Sequence, residues 1–163
     1  MNAKIIVTIV AALTFGVGTE ANATDWADFS QSNTFVTVTS ENALDATVLR
    51  TVTVVCPVKG YLIAQAESVF NLTQGSLFPG RGAFKHSLTL DSVAPIAWDP
   101  EHEHLIERYD PDGVMFIPAS IQRSVSCTAG QSVTVNYVAS RIVAGFTQAL
   151  QPKLSVDFFD KRI

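Results

Sequence analysis

Several features that would assign a function are missing from this sequence. After Ala23 no apolar run approaches the roughly 20 residues that a membrane helix needs, so we expect no membrane span in the mature chain. Eleven basic and 15 acidic residues give a net charge of −4, and no Lys/Arg cluster provides the positive surface that nucleic-acid binding requires. Neither a G-x-S-x-G elbow nor a phosphate-binding glycine loop occurs. We therefore expect neither a nucleic-acid partner nor an enzyme.

The first 23 residues have the pattern of a secretory signal peptide. One lysine, Lys4, precedes an apolar stretch at 5–17, and Ala21-Asn22-Ala23 offers the small-x-small pattern that signal peptidase recognises. We expect cleavage after Ala23. The sequence thus divides into a signal peptide, 1–23, and a single domain, 24–163, that is secreted or periplasmic.

Cysteine is scarce, and both cysteines belong to the expected mature chain. Cys56 and Cys127 are the only two, and an even pair in an exported protein predicts one disulfide. Closing a loop of about 70 residues corresponds to roughly 4 kcal/mol in the chain-entropy model. Turn residues follow each cysteine, which predicts that the bond joins neighbouring strand ends.

Alternation of apolar and polar residues dominates the rest of the chain, and no segment is a convincing helix. Strict alternation predicts strands with one buried and one solvated face. We expect an all-β fold, an antiparallel β-sandwich or jelly roll of about seven to eight strands. The predicted strands lie at 34–39, 47–56, 60–72, 84–91, 114–117, 121–127, 131–140 and 154–158. In outline this resembles pilus-type subunits and C1q/TNF-like jelly rolls, but no motif carries the resemblance and no residue roles follow from it.

One acidic segment, from Asp99 to Gly113, accounts for the net negative charge of the chain, because its six carboxylates and one arginine sum to −5 while the whole chain is −4. Within it His102 and His104 share one side of an extended chain, and with Glu107 they form a candidate site for a divalent metal. The alternative is a solvated surface loop whose histidines have no ligand. The spacing is not H-E-x-x-H, so the zinc-peptidase helix is not predicted.

A second group of residues is a candidate contact surface. Leu77, Phe78 and Arg81 lie in a glycine-rich segment, and apolar residues in such a loop can mark an interface. Trp98 could stack on a sugar ring as an aromatic platform. Packing against one end of the core is the alternative for each of them. His86 lies on the apolar side of its strand, where we expect a buried histidine with a hydrogen bond.

Three functions are consistent with these patterns. The first is a non-catalytic binding or interaction module that recognises a protein or glycan partner. The second is a structural subunit of a surface assembly, pilus-like or self-associating through strand edges. The third is a metal-dependent enzyme built on His102 and His104. We expect the first, with no cofactor unless the acidic segment binds a divalent metal.

Overall fold

The computed structural model describes residues 26–39, 46–73, 81–91, 103–109, 114–143 and 146–160. Every regular element in these ranges is a β-strand, and the antiparallel sandwich predicted from the alternation is confirmed. The strands are β1 (Trp26–Gln31), β2 (Phe35–Thr37), β3 (Thr47–Val55), β4 (Gly60–Thr73), β5 (Arg81–Leu90), β6 (Glu103–Tyr109), β7 (Val114–Cys127), β8 (Ser132–Val143) and β9 (Phe146–Asp160).

These strands form two antiparallel sheets. The five-stranded sheet has the order β1-β9-β4-β7, with β2 also paired to β9, and the four-stranded sheet has the order β3-β8-β5-β6. No helix that could cross a membrane occurs in the part of the chain that the structure describes.

The two inner faces enclose one apolar core. Phe70 of β4 stacks on Phe84 of β5, with ring centroids 4.0 Å apart. His86 is 1% exposed, and its Nδ1 lies 3.3 Å from the hydroxyl oxygen of Tyr137. The expected buried, hydrogen-bonded histidine is confirmed. Burial, reinforced by the negative charge of Glu67, raises the pKa of the Tyr137 phenol far above its usual value, because the charged form would lose its hydration.

The disulfide between Cys56 and Cys127 is confirmed and joins the two sheets. Cys56 follows β3 of one sheet and Cys127 ends β7 of the other, with their Cα atoms 6.3 Å apart. The two turns interlock, since the amide of Gly130 donates to the carbonyl of Cys56 at 2.7 Å. Gly130 has φ +75°, a conformation that favours glycine.

An arginine spans each open side of the sandwich. On one side, Arg50 of β3 donates from Nε to the Pro152 carbonyl of β9 at 3.1 Å. On the other, Arg123 of β7 donates from Nη1 to the Leu88 carbonyl of β5 at 2.7 Å. Desolvation lowers the pKa of Arg50. Inward-pointing charges of this kind discourage a sheet edge from pairing with another chain.

Three expectations need correction. The segment from Asp99 to Gly113 is not a loop throughout, because residues 103–109 form β6 and pair with β5. Two strands, β1 and β6, exceed the predicted set because neither alternates cleanly, whereas the predicted strands 114–117 and 121–127 are one continuous strand, β7. The outer side of β5 is not solvated: Lys85, Ser87 and Thr89 are all buried, Lys85 being only 5% exposed.

Candidate functional site

The outer face of the five-stranded sheet is the candidate site, because it exposes an apolar band. Phe35 of β2 lies opposite Leu150 of β9, Leu150 opposite Val69 of β4, and Val69 opposite Pro118 of β7. Directly opposed residues of antiparallel strands share a face. These four residues therefore form a continuous row across the sheet, which we call the apolar band.

The aromatic side chains on and near this band are far from buried. Phe35 is 60% exposed, and Phe116, one outward position from Pro118 on β7, is 62% exposed. Phe29 of β1 is 55% exposed and lies opposite Ser155 of β9. Single exposed apolar residues are ordinary on a protein surface, whereas a contiguous group marks an interaction surface.

A β-bulge at Gln151 and Pro152 shapes the middle of the face. The β4–β9 register shifts between Glu67 and Val69, and Gln151 adopts φ 46°. The Ser68 hydroxyl donates to the Leu150 carbonyl at 2.9 Å and so holds the irregular segment in place. Bulges bend a strand locally and are frequent beside binding sites.

Three shallow depressions adjoin one another on this face. One of about 390 Å³ lies between Val69, Pro118 and Lys153. Its neighbour, of about 430 Å³, extends from Lys153 toward Phe29 and Gln122. A third, of about 380 Å³, lies beside Phe35 and Gln151. Together they make the face uneven, with recesses that side chains of a partner could fill.

An ion pair occupies the centre of the face between the first two depressions. Lys153 Nζ lies 2.8 Å from Glu67 Oε1, and the two side chains are partly exposed. Because exposed pairs contribute little to stability, this pair adds little to the free energy of folding. Amide and hydroxyl groups surround it, among them Gln65, Gln122 and Ser120.

The predicted metal site is only partly within the described residues. His104 and Glu107 lie on β6, opposite His86 and Ala83 of β5 respectively, whereas His102 lies outside the described residues, as do the side chains of β6. Among the side chains that are described, no group of three His, Cys, Asp or Glu could hold a metal. The metal hypothesis stays a prediction.

The predicted contact surface lies almost entirely outside the described residues. Leu77, Phe78 and Trp98 belong to ranges that the structure does not describe. Arg81 begins β5 opposite Tyr109 of β6, and its side chain is not described. The contact role of these four residues stays a prediction too.

The outer-face residues were missed by sequence reasoning, although one signal points to them. Residues 114–117 are apolar at four consecutive positions, so alternation does not say which side is buried. In the structure Met115 and Ile117 enter the core while Val114 and Phe116 stay exposed. An apolar run that breaks the alternation of a half-buried strand is thus a signal for an outward contact residue.

Comparison with known proteins leaves the family open. No family model fits the sequence, and a search of curated proteins finds no match. Among solved structures, a chain from the infectious bursal disease virus Gx strain aligns at 10% identity with a TM-score of 0.39. The alignment covers 91% of this chain and 38% of the viral one. Nothing about function is inferred from this likeness.

Proposed function

We propose that this protein is an exported, non-catalytic interaction module that recognises its partner through the outer face of the five-stranded sheet. The observation that carries the proposal is the apolar band, which continues in register through four strands. Three of its four residues are exposed, and Leu150 is partly buried. The disulfide supports an oxidising location outside the cytoplasm. The signal-like residues 1–23 support export to the periplasm or the medium.

The energetic argument is that this face is costly to leave in water. Burying apolar surface contributes about 25 cal/mol per Å², so covering three phenylalanines and their aliphatic neighbours would stabilise a complex by several kcal/mol before the costs of association. Aromatic side chains are also the residues that most often dominate binding energy at interfaces. The face therefore has the composition of a contact surface.

Assembly through strand edges is the second candidate function. It is favoured by β7, an edge strand of 14 residues. Against it, Pro118 lacks an amide donor in the middle of that edge, and Arg123 of β7 and Arg50 of β3 both point inward, where they hinder edge pairing. We therefore favour binding through the sheet face.

A ligand screen with matched variants tests the proposed function. The purified, oxidised protein is applied to a glycan array and to a displayed-peptide library, alongside a Phe35→Ser/Phe116→Ser double variant. Val55→Ser is the control, because Val55 is 58% exposed but lies on β3 of the other sheet. We expect binding that the double variant loses and the control keeps. Ligands that bind all three proteins equally would contradict the assignment of this face.

A further inference from the structure

We propose that the partner of this face is a second copy of the chain, docked face to face about a twofold axis. The axis runs parallel to the strands, midway between β4 and β9. This inference rests on the proposed function of the same face and names its occupant. Three properties of the face carry it: its pairing pattern, its charges and its relief.

The pairing pattern makes the face self-complementary. A twofold axis between β4 and β9 places every outward residue of β4 over its own register partner on β9 of the second copy. Val69 then meets Leu150 of the second copy, because the two are register partners. Tyr61 meets Phe159 in the same way. Apolar rows therefore cover apolar rows, as an isologous interface requires.

The charges obey the same symmetry. Glu67 and Lys153 are register partners, so each would lie over the opposite charge of the second copy. Four charges would then alternate in sign around the axis. Asp157 would lie over Ile63, and no like charges of β4 and β9 oppose one another. Complementary potentials of this kind fix register and exclude wrong partners.

The relief of the face provides two knobs and two depressions. Phe35 and Pro118 lie at opposite ends of the apolar band, so the axis places Phe35 over the depression of about 390 Å³ that Pro118 borders. Phe29 and Gln122 also lie at opposite ends of one row, so Phe29 would lie over the depression of about 430 Å³. Two exposed phenylalanines of each copy would thus lie over depressions of the other copy.

The size of the face is adequate for a reversible dimer. Three strand spacings and ten residue steps give an area about 15 Å wide and about 33 Å long, on the order of 500 Å² per copy before the side chains at its rim are added. The total buried on both copies would be about 1,000–1,200 Å², which is the size of weak or transient interfaces and reaches only the lower limit for stable complexes. We therefore expect a concentration-dependent dimer.

Charge reversal tests the inference in a way that a purely structural effect cannot imitate. The Glu67→Lys variant carries two positive charges at the centre of its face, and Lys153→Glu carries two negative charges. Each variant should repel itself and associate at least tenfold more weakly than the wild type in sedimentation velocity. An equimolar mixture of the two should form a heterodimer, since opposite charges then meet at all four positions.

Phe35→Asp and Val55→Asp complete the experiment. We expect Phe35→Asp to weaken association at least tenfold, and Val55→Asp to leave it unchanged. A wild type that stays monomeric over the whole concentration series would overturn the inference. So would a dimer that is insensitive both to Phe35→Asp and to mixing of the charge variants, because it would use another surface.

The two proposals fail separately. If the protein is monomeric but binds glycans or peptides in a way that depends on Phe35 and Phe116, the dimer inference is wrong and the proposed function is supported. A monomeric protein with no ligand that depends on this face would remove both proposals.

Discussion

Parts of the outer faces of the two sheets differ in polarity and exposure: β2 and β7 present apolar, exposed side chains, whereas β5 and β8 present polar, buried ones. On the five-stranded sheet, Phe35 and Phe116 are apolar and exposed. On the four-stranded sheet the outer side of β5 and β8 is polar and buried, with Lys85, Asn136 and Ser140 among its residues. A simple sandwich would have a polar, exposed outer face on both sheets.

This difference shows that the polar groups of one face are paired within the folded chain, whereas the phenylalanines of the other remain exposed to solvent. Buried polar groups need hydrogen-bond partners, and Asn136 has one: its Oδ1 accepts a bond from the Thr51 hydroxyl at 2.8 Å. That face is therefore satisfied within the folded chain. The exposed phenylalanines are not covered by any described part of the chain, and we propose that another molecule covers them.

The largest expected effect on stability comes from removing the disulfide that joins the two sheets. Replacing both cysteines, Cys56→Ala/Cys127→Ala, should lower the free energy of unfolding by about 2–5 kcal/mol, because β3 and β7 are then no longer joined. Urea unfolding of the variant and of the wild type measures the difference. Wild-type protein in reductant should resemble the variant, and equal midpoints for all samples would contradict this role.

The next largest effect compares the stability lost when a buried side-chain amide and an exposed one are replaced. Asn136→Ala removes an acceptor from the polar buried face and should lower the free energy of unfolding by about 1–3 kcal/mol. Gln65→Ala, on the exposed face, should change it by less than about 0.5 kcal/mol. Thermal and chemical unfolding of both variants measure the two values. Similar losses in the two variants would remove the distinction between the faces.

A third effect concerns the core between the faces, where Tyr137 is buried. Its pKa is raised in the folded chain, whereas in the unfolded chain the phenol ionises near pH 10. Above that pH the unfolded state releases a proton that the folded state retains. Stability should therefore fall as the pH rises, with this one group contributing up to about 1.4 kcal/mol per pH unit.

Unfolding free energies measured between about pH 9 and pH 11 test this dependence. Tyr137→Phe should show a shallower decline than the wild type, although its stability at neutral pH is lower because the hydroxyl contact with His86 is lost. Tyr61→Phe, a substitution at an exposed position, should keep the steep decline. An unchanged slope in Tyr137→Phe would contradict the assignment.

The smallest expected effect on the free energy of unfolding comes from replacing exposed phenylalanines of the five-stranded sheet. The Phe35→Ser/Phe116→Ser variant should change the free energy of unfolding by less than about 0.5 kcal/mol per substitution, since neither side chain fills the core. Calorimetry of the dilute protein measures it. A loss of several kcal/mol would mean that these rings support the fold, and it would contradict the contrast drawn between the two outer faces.

Local patterns predicted the inner architecture well. Residues 84–91 and 131–140 alternate strictly, and both segments form strands with the predicted inward side in the core. Arg50 is the one charge that interrupts the apolar alternation of residues 47–56, and it points inward, where it donates to a carbonyl of the opposite sheet. Inward sides are predictable because burial of apolar side chains dominates folding.

The outward sides were not predictable from the same patterns. Ser87 and Thr89 alternate like solvated residues but are buried, because burial of an outer face depends on what the rest of the chain places over it. β1 and β6 escaped prediction for a different reason: WADFSQ and EHLIERY do not alternate cleanly, so their pairing with β9 and β5 comes from tertiary context.

Hydroxyl-radical footprinting of the oxidised protein, in dilute and in concentrated solution, tests most directly whether the outer face of the five-stranded sheet is the docking surface. We predict that Phe29, Phe35 and Phe116 are labelled strongly in dilute protein and become protected on association, while Val55 on the other sheet is labelled equally in both. Protection of Val55 with unchanged labelling of the three phenylalanines would contradict the account.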